Sequence, residues 1–504
     1  MPWSFGFVVM LVCLLILLAC GAVKMLFKRG MRLRAVRVRG KDRGGVVTVR
    51  TPVTTTDEAQ RSADATGLPR ALMRASGPLP TILVVLGVMG WLFWRVLMNR
   101  HHVLDAWVVW TFDVLFVIVA VQLVMAGFEG RMVGGGAVYR VAVLVPLYNE
   151  DPDVVVRMLS ALLHQSSPPA EIHVVDDGST QGAYLEERDW SIRQAAVARI
   201  YATWQRTANE GKRHAQIHGF RKIRDADLFV TVDSDSMLDS EALHEIVQPF
   251  SDPRVMSVAG VILAINNREN LLARVTDVIF VGQQLIDRSF MSRLGSVMVN
   301  SGGLAAYRRS ILADNIDIYA HESYLRRHVE FSDDSLLTLF ALLRGRTVQQ
   351  PSAFAFAWMP DRWSHHYRQQ ERWFRGSFIR GLWRIRFLPV LSWGWWRQVT
   401  GWMQVWLVIS LFVYLVLWRP LVVGDGIPPA ALLVPLAIGL AQGSRYIAVW
   451  RSDTTGSERC ISLILSPAAT LWSALILRPL RVWGMVTSGK MGWNTRQQVE
   501  VTSQ

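Results

Sequence analysis

Apolar residues in this chain are gathered into long blocks near both ends, whereas the middle alternates short apolar runs with polar segments. Three N-terminal blocks, at residues 5–27, 79–98 and 104–126, approach or exceed the roughly 20 apolar residues that a membrane-spanning helix needs. The middle, from about residue 141 to residue 375, contains no such block. The pattern therefore predicts a domain outside the bilayer, placed between membrane helices.

The C-terminal part predicts membrane contact of two kinds. Apolar blocks at 402–417 and 430–449 predict two further spans. Before them, residues 374–398 mix arginines with Trp and Phe at a density typical of helices that lie in the headgroup zone. Basic patches with aromatics also occur in nucleic-acid-binding proteins, but the flanking spans favour the membrane interpretation and no nucleic-acid partner.

Composition and charge predict how the chain is oriented in the membrane. It has 504 residues, of which 51% are hydrophobic, and a formal net charge of +14. Eight basic residues lie between Lys24 and Lys41, directly after the first block, which predicts a cytoplasmic loop at 28–78. The two spans that follow return the chain to the cytoplasm. The three cysteines, Cys13, Cys20 and Cys460, lie in apolar segments, so neither a disulfide framework nor a cysteine metal site is indicated.

The middle domain begins as an α/β protein. Short apolar runs at 141–150, 171–179 and 227–232 read as buried parallel strands, with a helix predicted at 152–165. Two of the runs end in paired acids, Asp176 with Asp177 and Asp233 with Asp235. Ligands of open α/β sheets bind at the carboxyl ends of the strands, so these acids predict one shared nucleotide pocket.

The spacing of Asp233 and Asp235 suits a diphosphate donor. In an extended segment, residues two apart face the same side, so one carboxylate can reach a metal while the other holds sugar or ribose. Mg²⁺ or Mn²⁺ prefers such hard oxygen ligands and commonly bridges to phosphates. Neither a Gly-x-x-x-x-Gly-Lys-Ser/Thr nor a Gly-x-Gly-x-x-Gly motif is present, which argues against P-loop ATPases and simple dinucleotide enzymes.

Five ordered motifs carry a resemblance to a known family. They are Asn-Glu-Gly-Lys-Arg-His-Ala-Gln at 209–216, Asn-Ser-Gly-Gly-Leu-Ala-Ala-Tyr-Arg at 300–308, Ser-Asp-Asp at 332–334, Gln-Gln-Glu-Arg-Trp at 369–373 and Gly-Trp-Asn-Thr-Arg at 492–496. Over about residues 141–496 the chain resembles the processive, membrane-integrated family 2 glycosyltransferases, and among them the hyaluronan synthases most closely. It is also similar to chitin and chitooligosaccharide synthases.

The resemblance implies a fold and a set of donor-site roles. The fold is an α/β nucleotide-diphospho-sugar transferase domain, a mixed sheet flanked by helices, inserted between transmembrane helices. The residues implied to contact the uridine diphosphate donor are Asp176, Asp177, Lys212, Asp233 and Arg372. Asp235 is implied to coordinate most of the Mg²⁺ or Mn²⁺, with Asp233 beside it. Asp334 is the implied general base, with Asp333 as the alternative, because the sequence does not say which of two adjacent carboxylates points inward.

Acceptor-side and lid roles are implied in the same way. The acceptor side comprises Ser301, Gly302, Gly303, Gln369 and Trp373. Trp493 and Arg496 match the Trp-Gly-Thr-Arg tail motif of hyaluronan synthases, implied to cover the nucleotide. Two positions depart from the family pattern: Asn494 replaces the motif glycine, and Asn300 stands where hyaluronan synthases usually carry cysteine.

The apolar block at 461–477 conflicts with this arrangement, because a full crossing would place Arg496 outside, away from the nucleotide. We therefore expect either a re-entrant hairpin at Pro467 or an additional crossing within 388–406. The predicted segments are N-terminal membrane helices at 1–127, a glycosyltransferase domain at 137–375, interface helices at 376–400, channel helices at 401–485 and a cytoplasmic tail at 486–504.

The predicted function is polymerisation of UDP-GlcNAc and UDP-GlcA into hyaluronan at the cytoplasmic face of the plasma membrane, with export of the growing polysaccharide across the lipid bilayer. Two alternatives remain within the class, a chitin or chitooligosaccharide synthase and a poly-N-acetylglucosamine synthase. A transporter without catalytic activity is the alternative from another class. It has no use for Asp177, Asp235, Asp334 and Arg372 together, which favours an enzyme. The chain ends at Gln504 without an appended cyclic-dinucleotide sensor domain, which lowers the expectation of a cellulose synthase.

Overall fold

The computed structural model describes residues 66–73, 106–136, 138–180, 182–427 and 430–491, together with Gly87 and Gly90. The predicted span at 5–27, most of the span at 79–98, most of the basic loop at 28–78, and the tail residues Trp493 and Arg496 lie outside these residues.

Twelve strands are present in the described residues. They are β1 (Ala71–Met73), β2 (Val141–Leu147), β3 (Glu171–Asp176), β4 (Tyr201–Arg206), β5 (Leu228–Thr231), β6 (Ser236–Leu238), β7 (Val255–Ala264), β8 (Ala305–Arg308), β9 (Ser323–Tyr324), β10 (Arg327–His328), β11 (Arg346–Ala357) and β12 (Val449–Arg451). Eight of them form one sheet in the order β4-β3-β2-β5-β8-β7-β11-β6. The two pairs β1-β12 and β9-β10 are separate.

The sheet is mixed, as predicted. β4, β3, β2 and β5 are parallel neighbours, β8 runs antiparallel to both β5 and β7, and β6 runs antiparallel to β11. The three strands predicted from apolar runs are confirmed as β2, β3 and β5, side by side. Every residue of β2 is buried, because helices cover both faces of a parallel sheet and no polar alternation is required.

Helices flank this sheet on both faces. The predicted helix after β2 is confirmed over Pro152–Leu163, where the Asp151 side chain accepts from the backbone N–H of Asp153 and Pro152 occupies the first turn. The other α-helices of the domain are Leu185–Val197, Lys212–Phe220, Ala242–Val247, Leu271–Gly282, Ser289–Arg293, Arg309–Ala313, Ile316–Ala320, Asp333–Leu342 and Trp363–Phe387. Short helical turns at Gln248–Ser251 and Gln283–Arg288 complete it.

Within the described residues, two helices have the length and composition to cross a membrane. They span Trp393–Val423 and Gly456–Val486, each 31 residues long and only 22% buried over its most apolar window. The α-helix Ala106–Gly127 is also strongly apolar and packs against the same region. The first of the two begins at Trp393, so the segment within 388–406 is the start of this helix rather than an additional crossing.

The predicted hairpin at Pro467 is wrong. The chain is continuously helical through Gly456–Trp472, Ser473–Leu477 and Arg478–Val486. Proline cannot donate to the carbonyl of residue 463, but the Ser466 hydroxyl donates to that Leu463 carbonyl oxygen at 2.6 Å. Such hydroxyl groups satisfy carbonyls that a helical proline leaves open, so the helix continues.

The predicted span at 430–449 is too long. Its helix ends at Gly443, and Val449–Arg451 forms β12, which pairs antiparallel with β1. The backbone N–H of Ala71 in β1 donates to Asp239 Oδ2 at 2.9 Å, so this small sheet is tied to the large domain. Residues 449–451 therefore form a strand instead of the end of the predicted span, because they pair with a distant segment of the chain.

Glycines let the helix Ala430–Gly443 approach the helix Gly456–Trp472 closely. A Cβ atom at Gly439 would lie 2.6 Å from Cα of Pro467, and one at Gly443 would meet the Ser466 side chain. We expect Gly439→Leu to separate these helices at a cost of about 1–3 kcal/mol, because the facing atoms are backbone and cannot move aside. The measurement is thermal unfolding in detergent. Gly426→Leu, which faces open space, is the control, and an equal loss in both variants would contradict this packing.

Candidate active site

The paired acids after β5 lie on a tight turn. The backbone N–H of Ser236 donates to the Asp233 carbonyl oxygen at 2.9 Å, which closes a turn through Ser234 and Asp235. The prediction that this segment is extended is therefore wrong, because the chain must reverse here to enter β6. Both Asp233 and Asp235 nevertheless line one large cavity.

Gly302 and Gly303 pack against this turn. A Cβ atom at Gly302 would lie 3.0 Å from both carboxylate oxygens of Asp233, and one at Gly303 would lie 2.8 Å from Ser236 Oγ. The packing of the acidic turn therefore requires glycine at both positions, independently of any approach by a sugar ring. Ser301 accepts a hydrogen bond from Arg288 at 2.6 Å, and all three residues line the cavity.

Lys212 joins two carboxylates. Its Nζ atom lies 2.6 Å from Asp233 Oδ1 and 3.3 Å from Asp333 Oδ2. Burial by itself lowers the pKa of Lys212, but Asp233 and Asp333 outweigh it and raise the pKa above the usual range. Lys212 therefore stays charged and holds the acidic turn against the Ser332–Asp334 segment.

The two adjacent acids differ in environment. For Asp333, burial raises the pKa, but Lys212 and Arg213 outweigh it and lower the pKa below the usual value. For Asp334, burial and the charge of Asp333 raise the pKa, although the backbone N–H of Ser335 donates to Oδ1 at 2.6 Å. Neighbouring carboxylates whose pKa values are pushed apart take different roles. This favours Asp334 as the group that gains and loses a proton.

Asp176 and Asp177 both accept hydrogen bonds from nearby backbone N–H groups. The two carboxylate oxygens of Asp177 accept from the backbone N–H groups of Glu210 and Gly211 at 2.9 and 2.8 Å, while its side chain lines the cavity. Burial raises the pKa of Asp177. Asp176 is fully buried, accepts from the backbone N–H of Ser179 at 2.9 Å, and is not among the cavity-lining residues. The contact predicted between Asp176 and the UDP-sugar donor stays a prediction. The buried position of Asp176, away from the cavity, does not support it.

The helix Trp363–Phe387 presents the predicted acceptor and phosphate residues. Gln369, Arg372 and Trp373 all line the cavity, as expected for residues that share one helix face. The Trp373 ring stacks on Phe280, with centroids 5.7 Å apart and 24° between the planes. One face of this indole is thus covered by the protein, and the rest is available to the cavity.

Sequence reasoning missed a buried carboxylate behind the two acids. Glu322 accepts from Arg380 at 2.7 and 3.0 Å, from Arg213 at 2.7 Å and from the Trp383 indole at 2.8 Å. Arg380 also donates to Ser335 Oγ at 3.1 Å. Burial raises the pKa of Glu322, but Arg380 and Arg213 outweigh it and lower the pKa to about 2. No local motif marks Glu322, because its partners come from distant segments.

Two further contacts at the cavity were not assigned from the sequence. Ser234 Oγ donates to Glu150 Oε1 at 3.0 Å, which links the acidic turn to the end of β2. Arg288 donates to the carbonyl oxygen of Gly260 at 3.0 Å as well as to Ser301. The Tyr-Asn-Glu sequence that ends the first apolar run is a signal that could have indicated Glu150.

Apart from Asp176, the predicted site residues within the described part of the chain share one cavity of about 1950 Å³. It begins at Asp233, Asp235 and Asp334 and continues between the membrane-type helices, where Val408, Leu411 and Ala469 line it. The residues predicted to bind the donor thus line the same space as the apolar helices.

Asp233 and Asp235 suit a divalent cation. Their oxygens are the hard ligands that Mg²⁺ and Mn²⁺ take, and both face the cavity. Within the described part of the chain, no group of three His, Cys, Asp or Glu side chains is arranged to hold a metal ion. One or two carboxylates completed by substrate phosphates and water is an ordinary Mg²⁺ arrangement, so the donor set fits a metal that binds with its nucleotide.

Comparison with known proteins defines the class. The family model described as glycosyltransferase like family 2 matches residues 139–376. The hyaluronan synthase of Streptococcus pyogenes is 30% identical over 371 residues, which cover 72% of this chain and 84% of the streptococcal protein. An N-acetylglucosaminyltransferase of Azorhizobium caulinodans is 33% identical over 247 residues, covering 47% and 60% of the two chains. The chain belongs to the family 2 glycosyltransferases and is an enzyme of that class.

Solved structures give weaker similarity. The mannosyltransferase PcManGT from Pyrobaculum calidifontis, in complex with GDP-Man and Mn²⁺, is 19% identical, covers 73% of this chain and 99% of its own, and has a TM-score of 0.45. S. aureus TarS residues 1–349, in complex with UDP-GlcNAc, is 15% identical, covers 66% of this chain and 91% of its own, and has a TM-score of 0.35.

Glu322 is expected to hold the base segment in place. Glu322→Gln leaves Arg213 and Arg380 without their counter-charge, and breaking such a buried pair costs about 3–5 kcal/mol. We expect a lower unfolding temperature and, at temperatures where the variant is folded, a lower kcat. Both are measured on protein in detergent. Glu186→Gln, on an exposed helix surface, is the control, and unchanged kcat in folded Glu322→Gln would show that the cluster does not position the site.

The pH dependence follows from the raised pKa of Asp334. A general base works ionised, so kcat should fall as the pH drops through this pKa, and the acid limb should lie above the ordinary carboxyl range. Asp333→Asn removes the neighbouring negative charge and should move the acid limb to lower pH. The measurement is the pH profile of kcat for both proteins. Complete loss of activity in Asp333→Asn would instead assign the base role to Asp333.

Proposed function

We propose that this glycosyltransferase is a processive, inverting enzyme that polymerises UDP-GlcNAc and UDP-GlcA into hyaluronan. The observation that carries the proposal is the single cavity that joins the carboxylates around Asp334 to the helices Trp393–Val423 and Gly456–Val486. A product made at one end of that cavity has a path between the helices at the other. The 30% identity to a hyaluronan synthase supports the same conclusion.

In this proposal, Asp334 removes the proton from the acceptor hydroxyl. The acceptor oxygen forms a bond to the anomeric carbon of the donor, the bond from that carbon to the phosphate oxygen breaks, and UDP leaves with the electron pair. The face of attack is opposite to the leaving group, so the configuration inverts. Asp333 stays ionised beside Lys212 and helps to keep the pKa of Asp334 raised. A base with a raised pKa holds the abstracted proton more readily.

In this proposal, other residues balance the charge of the diphosphate and position the terminal sugar. Lys212 and Arg372 balance the diphosphate, and Trp493 and Arg496 cover the nucleotide as a lid. The chain that precedes them lies beside the catalytic domain, since Arg375 donates to Thr487 Oγ1 at 3.1 Å and the Trp483 indole donates to Glu371 Oε1 at 2.8 Å. A divalent cation held by Asp233, Asp235 and the diphosphate would supply neutralisation of the leaving-group charge. On the acceptor side, Gln369 and Trp373 hold the terminal sugar, near the Ser301–Gly303 loop. The exposed indole of Trp373 suits stacking on a sugar ring.

The proposed location is the plasma membrane, with the catalytic domain in the cytoplasm where nucleotide sugars are made. At 1.5 Å per residue, the 31-residue helix Trp393–Val423 is about 46 Å long, enough to cross the roughly 30 Å hydrocarbon core with additional length at the interfaces. The helix Gly456–Val486 contacts the catalytic domain near both ends, where Arg268 pairs with Glu458 at 2.7 Å and Arg375 donates to Thr487 at 3.1 Å. The polysaccharide passes between the two helices as it grows.

A second candidate is a synthase that uses UDP-GlcNAc alone and makes a chitooligosaccharide or a poly-N-acetylglucosamine. The similarity to an N-acetylglucosaminyltransferase favours it specifically. It uses the same acidic turn, base and helix, so the two candidates differ only in the donors accepted.

The test is sugar incorporation by purified protein in liposomes with Mn²⁺ or Mg²⁺. We expect high-molecular-weight product only when UDP-GlcNAc and UDP-GlcA are both present, and its degradation by a hyaluronan-specific lyase. Asp334→Asn should abolish synthesis while UDP-sugar binding remains, because the base is lost but the donor contacts are kept. Polymer from UDP-GlcNAc alone would establish the second candidate, and no product from any UDP-sugar would overturn both.

A further inference from the structure

One arginine connects the predicted acceptor loop to the body of the domain. Arg288 Nη2 donates to Ser301 Oγ at 2.6 Å, and Arg288 Nη1 donates to the Gly260 carbonyl oxygen at 3.0 Å. Gly260 lies within β7, so the sheet fixes its carbonyl group. The position of Ser301 in the cavity therefore depends on where the Arg288 guanidinium group is held.

Arg288 is the last residue of a π-helical turn, Gln283–Arg288. Widened turns of this kind occur frequently at functional sites. Gln284 attaches the start of the turn to β7, because Gln284 Oε1 accepts from the Ile262 N–H at 2.7 Å and Gln284 Nε2 donates to the Ile262 carbonyl oxygen at 2.8 Å. The end of the turn, which carries Arg288, continues into the helix Ser289–Arg293 and needs another support.

Glu129 supports that end of the turn. It lies two residues beyond the membrane-type helix Ala106–Gly127. Its Oε2 atom accepts from the Ser289 hydroxyl and, at 3.2 Å, from Gln349 Nε2. Gln349 Nε2 also donates to the Gln284 carbonyl oxygen at 3.1 Å, so these contacts hold both ends of the turn.

The helix Ala106–Gly127 contacts the same turn through apolar side chains. Leu123 of this helix packs with Ile286 of the turn. Further residues of the helix line the cavity, namely Leu115, Val119 and Gln122. One helix thus borders the space between the membrane-type helices and, through Leu123 and Glu129, contacts the turn that carries Arg288.

Charge supports the same arrangement. Burial lowers the pKa of Arg288 to about 10, and nearby carboxylates oppose this change. The carboxylates are those of Asp334, Glu129 and Asp287. The charge of Glu129 also acts on Arg445. Removal of Glu129 would leave Arg288 attracted only by the two acids that line the cavity, which favours a displaced guanidinium group.

We propose that Glu129 is a positioning residue for chain elongation. Acting through Ser289 and Arg288, it fixes Ser301, so that the acceptor end of the growing chain stays beside the base between successive additions. Neither Glu129 nor Ser289 lines the cavity, so both act without touching the sugar. This inference rests on the proposed function and adds to it a residue that determines how long the enzyme holds its product.

The experiment measures product length and the KM for UDP-GlcNAc with the full-length protein in liposomes. Glu129→Leu removes the oxygen that Ser289 and Gln349 contact. We expect product chains shorter by about threefold or more, as for the loss of one coupling contact, at an unchanged KM for UDP-GlcNAc. Glu129→Gln keeps an oxygen at this place and should restore part of the length.

Product length separates positioning from stability. A residue that only stabilises the fold would change the amount of active enzyme, and so the total rate, but not the length of each chain. Ser301→Ala removes the other end of the series of contacts and should also shorten the product. If both substitutions act on one series, the double variant should be no shorter in product than the more affected single variant.

Glu245→Leu is the matched control. Glu245 is a buried carboxylate that contacts the same linker as Glu129, since Arg131 Nε donates to its Oε2 atom at 2.9 Å. Its other hydrogen bonds come from Gln350 and Ser352, and none comes from Arg288. This variant should keep the wild-type product length.

Wild-type product length in Glu129→Leu, or equal shortening in Glu245→Leu, overturns the inference. A parallel rise in the KM for UDP-GlcNAc also overturns it, because the effect would then lie on the donor side. If Glu129→Leu does not fold, Ser289→Ala takes its place under the same criteria. A wild type that makes no polymer rejects the proposed function itself, whereas polymer of unchanged length in Glu129→Leu rejects only the positioning role.

Discussion

The Lys212 ammonium group between Asp233 and Asp333 is the contact on which the site depends. Lys212 begins a helix after β4, Asp233 follows β5, and Asp333 begins a helix a hundred residues later. Without the ammonium, two partly buried carboxylates would face each other and repel. With it, Asp333 remains ionised, and that charge, together with burial, keeps the pKa of Asp334 raised. Lys212 itself lowers the pKa of Asp334, but burial and the charge of Asp333 outweigh it. The ammonium group therefore sets the shape of the site and keeps Asp333 ionised.

A second buried group fixes the same segment from behind. Glu322 holds Arg213, the residue after Lys212, and Arg380, from the helix that carries Gln369, Arg372 and Trp373. Arg380 in turn contacts Ser335 beside Asp334. A movement of the acceptor-side helix would therefore be transmitted to the base segment. This charge network lies in the protein interior, where its geometry is fixed by several hydrogen bonds rather than by one ion pair.

The lining of the cavity changes from one end to the other. Carboxylates gather where a metal and a diphosphate would bind, and apolar side chains such as Val408, Leu411 and Ala469 line the space between the membrane-type helices. The same apolar helices that give the chain its hydropathy also provide Gln, Trp and Arg side chains to this interior. Both 31-residue helices also expose large apolar side chains, among them Leu417 and Ile464.

Local pattern was sufficient for the parallel strands β2, β3 and β5, because each is a continuous apolar run bounded by turn residues. It was also sufficient to place the acids Asp177, Asp233 and Asp235 at one cavity, because parallel strands end at one edge of a sheet. Family resemblance supplied their roles. Neither the local pattern nor the resemblance predicted the specific contacts between distant segments.

The tertiary structure determined the features that depend on contacts between residues far apart in the sequence. Residues 449–451 left an apolar block to pair with Ala71–Met73, and Asp176 turned to a backbone N–H instead of the cavity. The helix passed through Pro467 because Ser466 supplied a hydrogen bond to the open carbonyl. The pairing of Glu322 with two arginines follows from three-dimensional packing. Burial and charge pairing are properties of neighbours in space, and neither composition nor periodicity specifies which residues those neighbours are.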